Sequence, residues 1–252
     1  MPLKRLGRQT LSFSAPSAVL GYANAVGKKE GEGPLRACFA YIAEDDSFGQ
    51  SSWEKAEQTM QKQALTLALE KCSLSVSIMD FLFAGDLLNQ CIGSSYTARG
   101  QDVPYFGLYG ACSTMGEGMV LAAMVLDGGF GTYAAATASS HFCSAERQYR
   151  TPLEYGGQRT PTAQWTVTGA GAVVLATEGV GPYITHATVG KVVDKGVKDA
   201  NNMGAAMAPV SVKLTPYVTH IRYAAAFFYT QFSEKGVFFG KSYSNSFQRY
   251  KP

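Results

Sequence analysis

Several things are scarce in this sequence. It has no C-x-x-C pair, and its five cysteines (Cys38, Cys72, Cys91, Cys112 and Cys143) are odd in number. That excludes a zinc ribbon or a disulfide framework as the organising device and fits a reducing compartment. No apolar run approaches the ~18 residues of a membrane span. The opening stretch MPLKRLGRQTLSFSAPSAVL starts basic but lacks a continuous apolar segment, so no secretory signal is expected. There is no internal repeat and no low-complexity segment. Gly169-Ala170-Gly171 lies in an apolar strand pattern without the spacing of a dinucleotide or phosphate loop, and reads as a close-packed strand. No cofactor, metal or nucleic-acid partner is expected.

What is present is a core. Hydrophobic residues make up 46% of the 252 positions against 16% charged, the balance of a soluble globular protein. The net charge of +3 is unevenly spread. Residues 211–252 hold six basic residues and one acid, and 11 of the 28 Phe and Tyr. Such a shift in composition marks a boundary.

The stretch over residues 105–129 organises the rest. It reads as a short apolar strand, a turn at Gly110-Ala111, Cys112, and a helix that is apolar nearly all round and so must be buried. Ser113, Thr114 and Glu117 suit the first turn of that helix, and Asp127-Gly128-Gly129 suits its stop. Gly116 and Gly118 inside it imply close approach of another backbone. Cys112 then stands at the positive end of a helix dipole, where a thiolate is stabilised. The alternative is a buried structural cysteine.

Elsewhere, residues 1–45 look turn-rich, with an exposed loop over residues 27–34. Ser51 and Glu54 have the spacing of a capping box before a helix over residues 52–71, with Trp53, Ala56, Met60, Ala64 and Leu67 at helical spacing. Strands are expected at 78–84, 104–109, 132–138, 165–167, 169–176 and 183–193, and a helix at 90–99. Helix–strand alternation followed by consecutive strands indicates an α/β layered domain with a mixed sheet. Asp86 follows a strand ending in Gly85, where it is either a site residue on the sheet's carboxyl edge or a helix cap. His141 follows another strand, as a base or cation beside a cysteine thiolate or as a satisfied structural histidine.

These residues carry a resemblance. GKKEGEGPL at 27–35, WEKAE at 53–57, FLFAGDLLNQ at 81–90, YGACSTMGEG at 109–118 and LDGGF at 126–130 resemble the stage V sporulation protein AD family of thiolase-like proteins. So do the long stretches at 136–175 and 187–209. The resemblance implies a thiolase-like layered α/β fold, first of two similar halves, with a nucleophile-bearing helix at its centre. It also implies binding of dipicolinic acid and support of its uptake into the developing spore, with other stage V sporulation membrane proteins as partners. The expected location is the forespore or spore, peripherally associated with the inner membrane on the cytoplasmic side. Asp86 from AGD, Cys112 from GAC and His141 from SSH carry over as pocket residues. A planar dianion suits a helix N-terminus and cations. Arg147 and Arg150 are the nearest in sequence, unless they pair with Glu146 or Glu154, and Tyr155 or Phe142 suits stacking on the ring. The alternatives are an acyltransferase with Cys112 as nucleophile and His141 as base, and an assembly component contacting spore membrane proteins.

The resemblance stops near Pro209. Residues 1–209 are therefore expected to form the thiolase-like domain, and 210–252 an unrelated tail, frameshifted or disordered, with a divergent β-hairpin or a membrane-surface tail as the alternatives. Without the second half, one face of the central helix is expected to remain an apolar patch, favouring aggregation or a homodimer.

Overall fold

The central strands of this chain, Phe81–Gly85, Tyr133–Ser140 and Gly169–Ala176, are built from apolar and small residues and mostly buried because both faces of the sheet are covered there. In the computed structural model, which describes residues 4–88, 91–149, 166–190, 196 and 198, with backbone alone for 146–149, eight strands form one sheet. They are β1 (Arg5–Leu6), β2 (Thr10–Val26), β3 (Tyr41–Ile42), β4 (Phe81–Gly85), β5 (Tyr105–Leu108), β6 (Tyr133–Ser140), β7 (Gly169–Ala176) and β8 (Tyr183–Thr188). The order is β1-β2-β7-β6-β4-β5, with β3 and β8 also paired to β2. β5, β4 and β6 run parallel, while β7 is antiparallel to both β6 and β2. The layered α/β class with a mixed sheet and a buried central helix, expected for the first half of a thiolase-like fold, is what the structure shows.

Alternation along the strands divides the core in two. Leu82, Ala84, Ala135, Ala172 and Val174 face helix α2 (Trp53–Lys71), meeting Met60, Ala64, Leu65, Ala68 and Leu69. Phe83, Ala134, Ala136, Val173 and Leu175 face helix α4 (Thr114–Asp127), meeting Met119, Val120, Ala122, Ala123 and Leu126. In sequence α1 (Lys28–Gly31) precedes α2, α3 (Ile92–Arg99) lies between α2 and α4, and α5 (Phe142–Tyr149) follows β6. Small side chains on β6 let α4 approach closely. A Cβ on Gly118 would come within 3.2 Å of that of Ala136, which is the backbone proximity that the helical glycines imply.

The helix ends differ in detail from the sequence reading. Ser52, not Ser51, caps α2, its hydroxyl accepting from Lys55 N–H at 3.4 Å, so the Ser51–Glu54 capping box is not formed. The stop of α4 is as expected at Asp127-Gly128-Gly129, with Gly129 supplying the left-handed residue at φ of 75° while Gly128 stays helical. Leu67 is only half-buried on α2. The expected exposed loop at 27–34 contains the helical turn α1, with Gly27 buried.

The largest difference is β2. A region read as turns is a strand of 17 residues that pairs with four others. Its run TLSFSAPSAVLGYANAV is rich in small residues, and its pairing is irregular between Ser12 and Ser17 and between Val19 and Gly21. Pro16 falls in the first irregularity, where a missing N–H costs no ladder bond. Of the expected strand at 165–167, Thr166 and Val167 are irregular and Trp165 lies outside the described residues; β8 ends at Thr188. Residues 210–252, Arg150, Glu154 and Tyr155 also lie outside them. Among the described residues no helix is long and apolar enough to cross a membrane.

Candidate functional site

Three parallel strands finish at one edge of the sheet. The register pairs Gly85 of β4 with Leu108 of β5 on one side and with Ala138 of β6 on the other. Asp86, Cys112 and His141 follow these three strand ends, so chain segments far apart in sequence deliver them to the same carboxyl edge. β4 lies between the other two, which sets the ends of β5 and β6 about 10 Å apart. Gly85 is fixed by this closeness, since a Cβ there would collide with the Leu108 carbonyl and the Thr114 methyl.

Cys112 sits in a 3₁₀ turn, Ala111–Ser113, that leads directly into α4. Ala111 holds a left-handed φ of 48°, which costs a non-glycine residue about 1 kcal/mol or more and turns the chain sharply from β5 into the helix. Ser113 does not cap α4: its hydroxyl donates back to the Gly110 carbonyl at 2.7 Å. Thr114 Oγ1 instead accepts from Gly110 N–H at 3.2 Å. The first N–H groups of α4 therefore have no side-chain cap beside an exposed cysteine. Burial pushes the Cys112 thiol up, opposed only by its own backbone N–H. Exposure of the residue and desolvation of its sulfur pull in different directions. The exposure decides whether a ligand reaches the side chain, and desolvation of the sulfur keeps the proton on it. The thiolate expected from the helix dipole is thus not favoured here, because desolvation outweighs the dipole.

Asp86 is 1% exposed. Its Oδ1 accepts from Leu88 N–H at 2.8 Å, and its Oδ2 accepts from both the backbone N–H and the hydroxyl of Ser94 at 2.7 Å. It therefore ties the end of β4 to the first turns of α3. Burial raises its carboxyl while the Ser94 and Leu88 bonds pull it down.

His141 is fully buried, with its ring against Trp53 and Phe142 at centroid distances of 5.4 and 5.6 Å. Nδ1 accepts from Cys143 N–H at 3.2 Å, which leaves the proton on Nε2, 2.7 Å from the Asp46 carbonyl. Burial holds the ring's pKa below its ordinary value, against the pull of that carbonyl. Both nitrogens are occupied by backbone, so in this arrangement neither is open to a proton from Cys112. Arg147 stands on α5 and its side chain lies outside the described residues.

Sequence reasoning missed a second set of polar residues under this edge. Glu57 and Gln61 are fully buried on α2 and bonded to Ser139 and Ser144. Their signal was legible: two polar residues one helical turn apart, flanked by Ala56, Met60 and Ala64 on the inward stripe. Among the described residues no group of His, Cys, Asp and Glu is arranged to hold a metal ion.

Fold and site together define a layered α/β protein with an exposed cysteine at its central helix start and buried polar residues at the carboxyl edge of its parallel strands. The sequence pattern of the stage V sporulation protein AD family matches residues 7–223. A relative in Bacillus subtilis (strain 168), stage V sporulation protein AD, is 44% identical over 209 residues, covering 83% of this chain and 62% of that protein. The chain belongs to the stage V sporulation protein AD family, and it spans about three fifths of the length of this curated relative.

Solved structures with similar coordinates include the priming β-ketosynthase of the R1128 polyketide pathway, with TM-score 0.44 and 18% identity over 71% of this chain and 54% of that one. Another is 3-oxoacyl-[acyl-carrier-protein] synthase III from Aquifex aeolicus VF5, with TM-score 0.42 and 15% identity over 64% of this chain and 53% of that one. Likeness at this level carries no argument about activity.

Proposed function

We propose that this sporulation-family protein binds dipicolinic acid at the edge bearing Cys112 and supports its uptake into the developing spore. The observation that carries the reading is the pairing of an exposed Cys112 at an uncapped helix start with neighbours whose polar atoms are already spent. Uncapped N–H groups at a helix start suit a carboxylate. A histidine with both nitrogens bonded to backbone is poorly placed as a base, which favours binding over acyl transfer. Arg147 on α5 is the cation assigned to the ligand.

The proposed setting is the forespore inner membrane, on its cytoplasmic side, with other stage V sporulation membrane proteins as partners. Met124 and Phe130, 44% and 75% exposed on and just after α4, suit a homodimer or such a partner. The test is calorimetry of dipicolinate with the full chain and with Cys112→Phe, which places a bulky side chain at the exposed helix start. Heat for the wild type and none for the variant supports the reading. No heat for either leaves the assembly role, and a covalent acyl group trapped on Cys112 restores the acyltransferase.

A further inference from the structure

Helix α2 carries a carboxyl group where its neighbours are apolar. Glu57 is 0% exposed, as are Ala56, Met60 and Ala64 around it. Its Oε1 lies 2.9 Å from the Ser139 hydroxyl at the end of β6, and its Oε2 lies 3.0 Å from the Ser144 hydroxyl in α5. Gln61, one turn on, donates from Nε2 to the Gly85 carbonyl at 3.0 Å and to Ser139 Oγ at 3.3 Å. Two residues of α2 thus hold the ends of β4 and β6 and the start of α5.

The hydrogen count at Ser144 favours a proton on Glu57. Its hydroxyl stands within bonding distance of two acceptors, Glu57 Oε2 at 3.0 Å and the His141 carbonyl at 3.2 Å. One hydroxyl has one proton and cannot serve both. A proton on Glu57 resolves the conflict: Glu57 donates to Ser144 Oγ, and Ser144 donates to the His141 carbonyl. Ser139 then accepts from Gln61 and donates to Glu57 Oε1, and both hydroxyls are satisfied. An ionised Glu57 takes the Ser144 proton for itself and leaves the His141 carbonyl to the Ala145 N–H alone, 2.9 Å away.

The charges agree. The groups facing Glu57 are Asp86 at the end of β4, Glu54 on its own helix, and the hydroxyls of β6 and α5. Asp86 and Glu57 converge over Gly93 of α3, where a Cβ would lie 3.4 Å from Asp86 Oδ2 and 3.4 Å from Glu57 Cγ. No lysine or arginine among the described residues is paired with either carboxyl.

We propose that Glu57 is a protonated latch: its proton ties α2 to the strand ends that deliver Asp86 and His141, and losing that proton releases this edge. Burial, and then the Asp86 charge, push the Glu57 carboxyl up to about 8, with the two serine hydroxyls opposing. The latch is therefore closed at neutral pH and opens in mild alkali. Its role is positioning, and it stands whether or not dipicolinate is the ligand.

The test is amide hydrogen exchange of the full chain between about pH 6 and about pH 9, corrected for intrinsic exchange, on wild type and Glu57→Gln. Glutamine keeps a donor for Ser144 and cannot ionise. In the wild type, opening at residues 85–88, 91–94 and 139–145 is expected to rise about tenfold per pH unit above the ionisation, and in the variant to stay level. A carbon-13 carboxyl titration of the wild type, which needs no variant, should show one glutamate ionising near pH 8. The same pH step in both proteins, or every glutamate ionising at ordinary values, overturns the proposal.

Discussion

His141 and Asp46 are joined across 95 residues of chain by a hydrogen bond of 2.7 Å, from the imidazole Nε2 to the backbone carbonyl. This bond, with the one from Cys143 N–H to Nδ1, fixes the tautomer and keeps the ring neutral. It anchors the end of β6 to the segment before α2.

A pH dependence follows. The folded pKa of His141 is lowered, so the folded ring binds its proton less readily than the unfolded one. Its contribution to stability is complete above the unfolded value of 6.5 and is lost as pH falls below it. Thermal stability of the wild type should fall on acidification from pH 7, and His141→Gln should lower stability at neutral pH by about 1–3 kcal/mol while flattening this slope. A variant with the wild-type slope would show that another group titrates there.

Glu57 acts in the opposite sense. With its folded value near 8 against 4.5 unfolded, the folded state holds the proton longer, so stability falls as pH rises between those values. While only the unfolded chain is ionised, the slope is about 1.4 kcal/mol per pH unit. Denaturant titrations of wild type and Glu57→Gln across that range measure it, and the difference should grow in the variant's favour with pH.

Cys112 is exposed but not activated. Its alkylation should be slow at neutral pH and rise about tenfold per pH unit toward its raised ionisation, because only the thiolate reacts. Mass spectrometry of iodoacetamide-treated protein separates it from Cys38, which is also exposed. A fast, pH-independent reaction at Cys112 would signal a nucleophile and favour acyl transfer.

Two glycines separate sheet closure from surface tolerance. Gly85→Ala forces a Cβ into the Leu108 carbonyl, a backbone atom of the adjacent strand, and should cost roughly 3 kcal/mol or more or prevent folding. Gly100→Ala meets nothing within 4 Å and should change stability by less than about 0.5 kcal/mol. Equal effects would contradict the β4–β5 register.

Much of the fold was legible. The apolar stripe of α2, the all-round apolar α4 and the short strands at 81–85, 105–108 and 133–140 followed from periodicity and length, since each element buries a pattern of its own. β2 was not legible, because small residues, a proline and two irregularities blur alternation, and its strand character comes from four partners elsewhere in the chain. The placement of Asp86, Cys112 and His141 at one edge was legible from strand ends, whereas their chemical state was not.

By itself, then, the sequence determined which segments become the central helix and the parallel strands, and that Cys112 stands at a helix start, because local period, glycine spacing and turn residues act within a few residues. Tertiary structure decided which polar atoms remain available. The partners that satisfy Asp86 and His141 include Ser94 and Asp46, and those that satisfy Glu57 are Ser139 and Ser144. A hydrogen bond between segments is fixed only when the sheet brings them within 3 Å or so of each other.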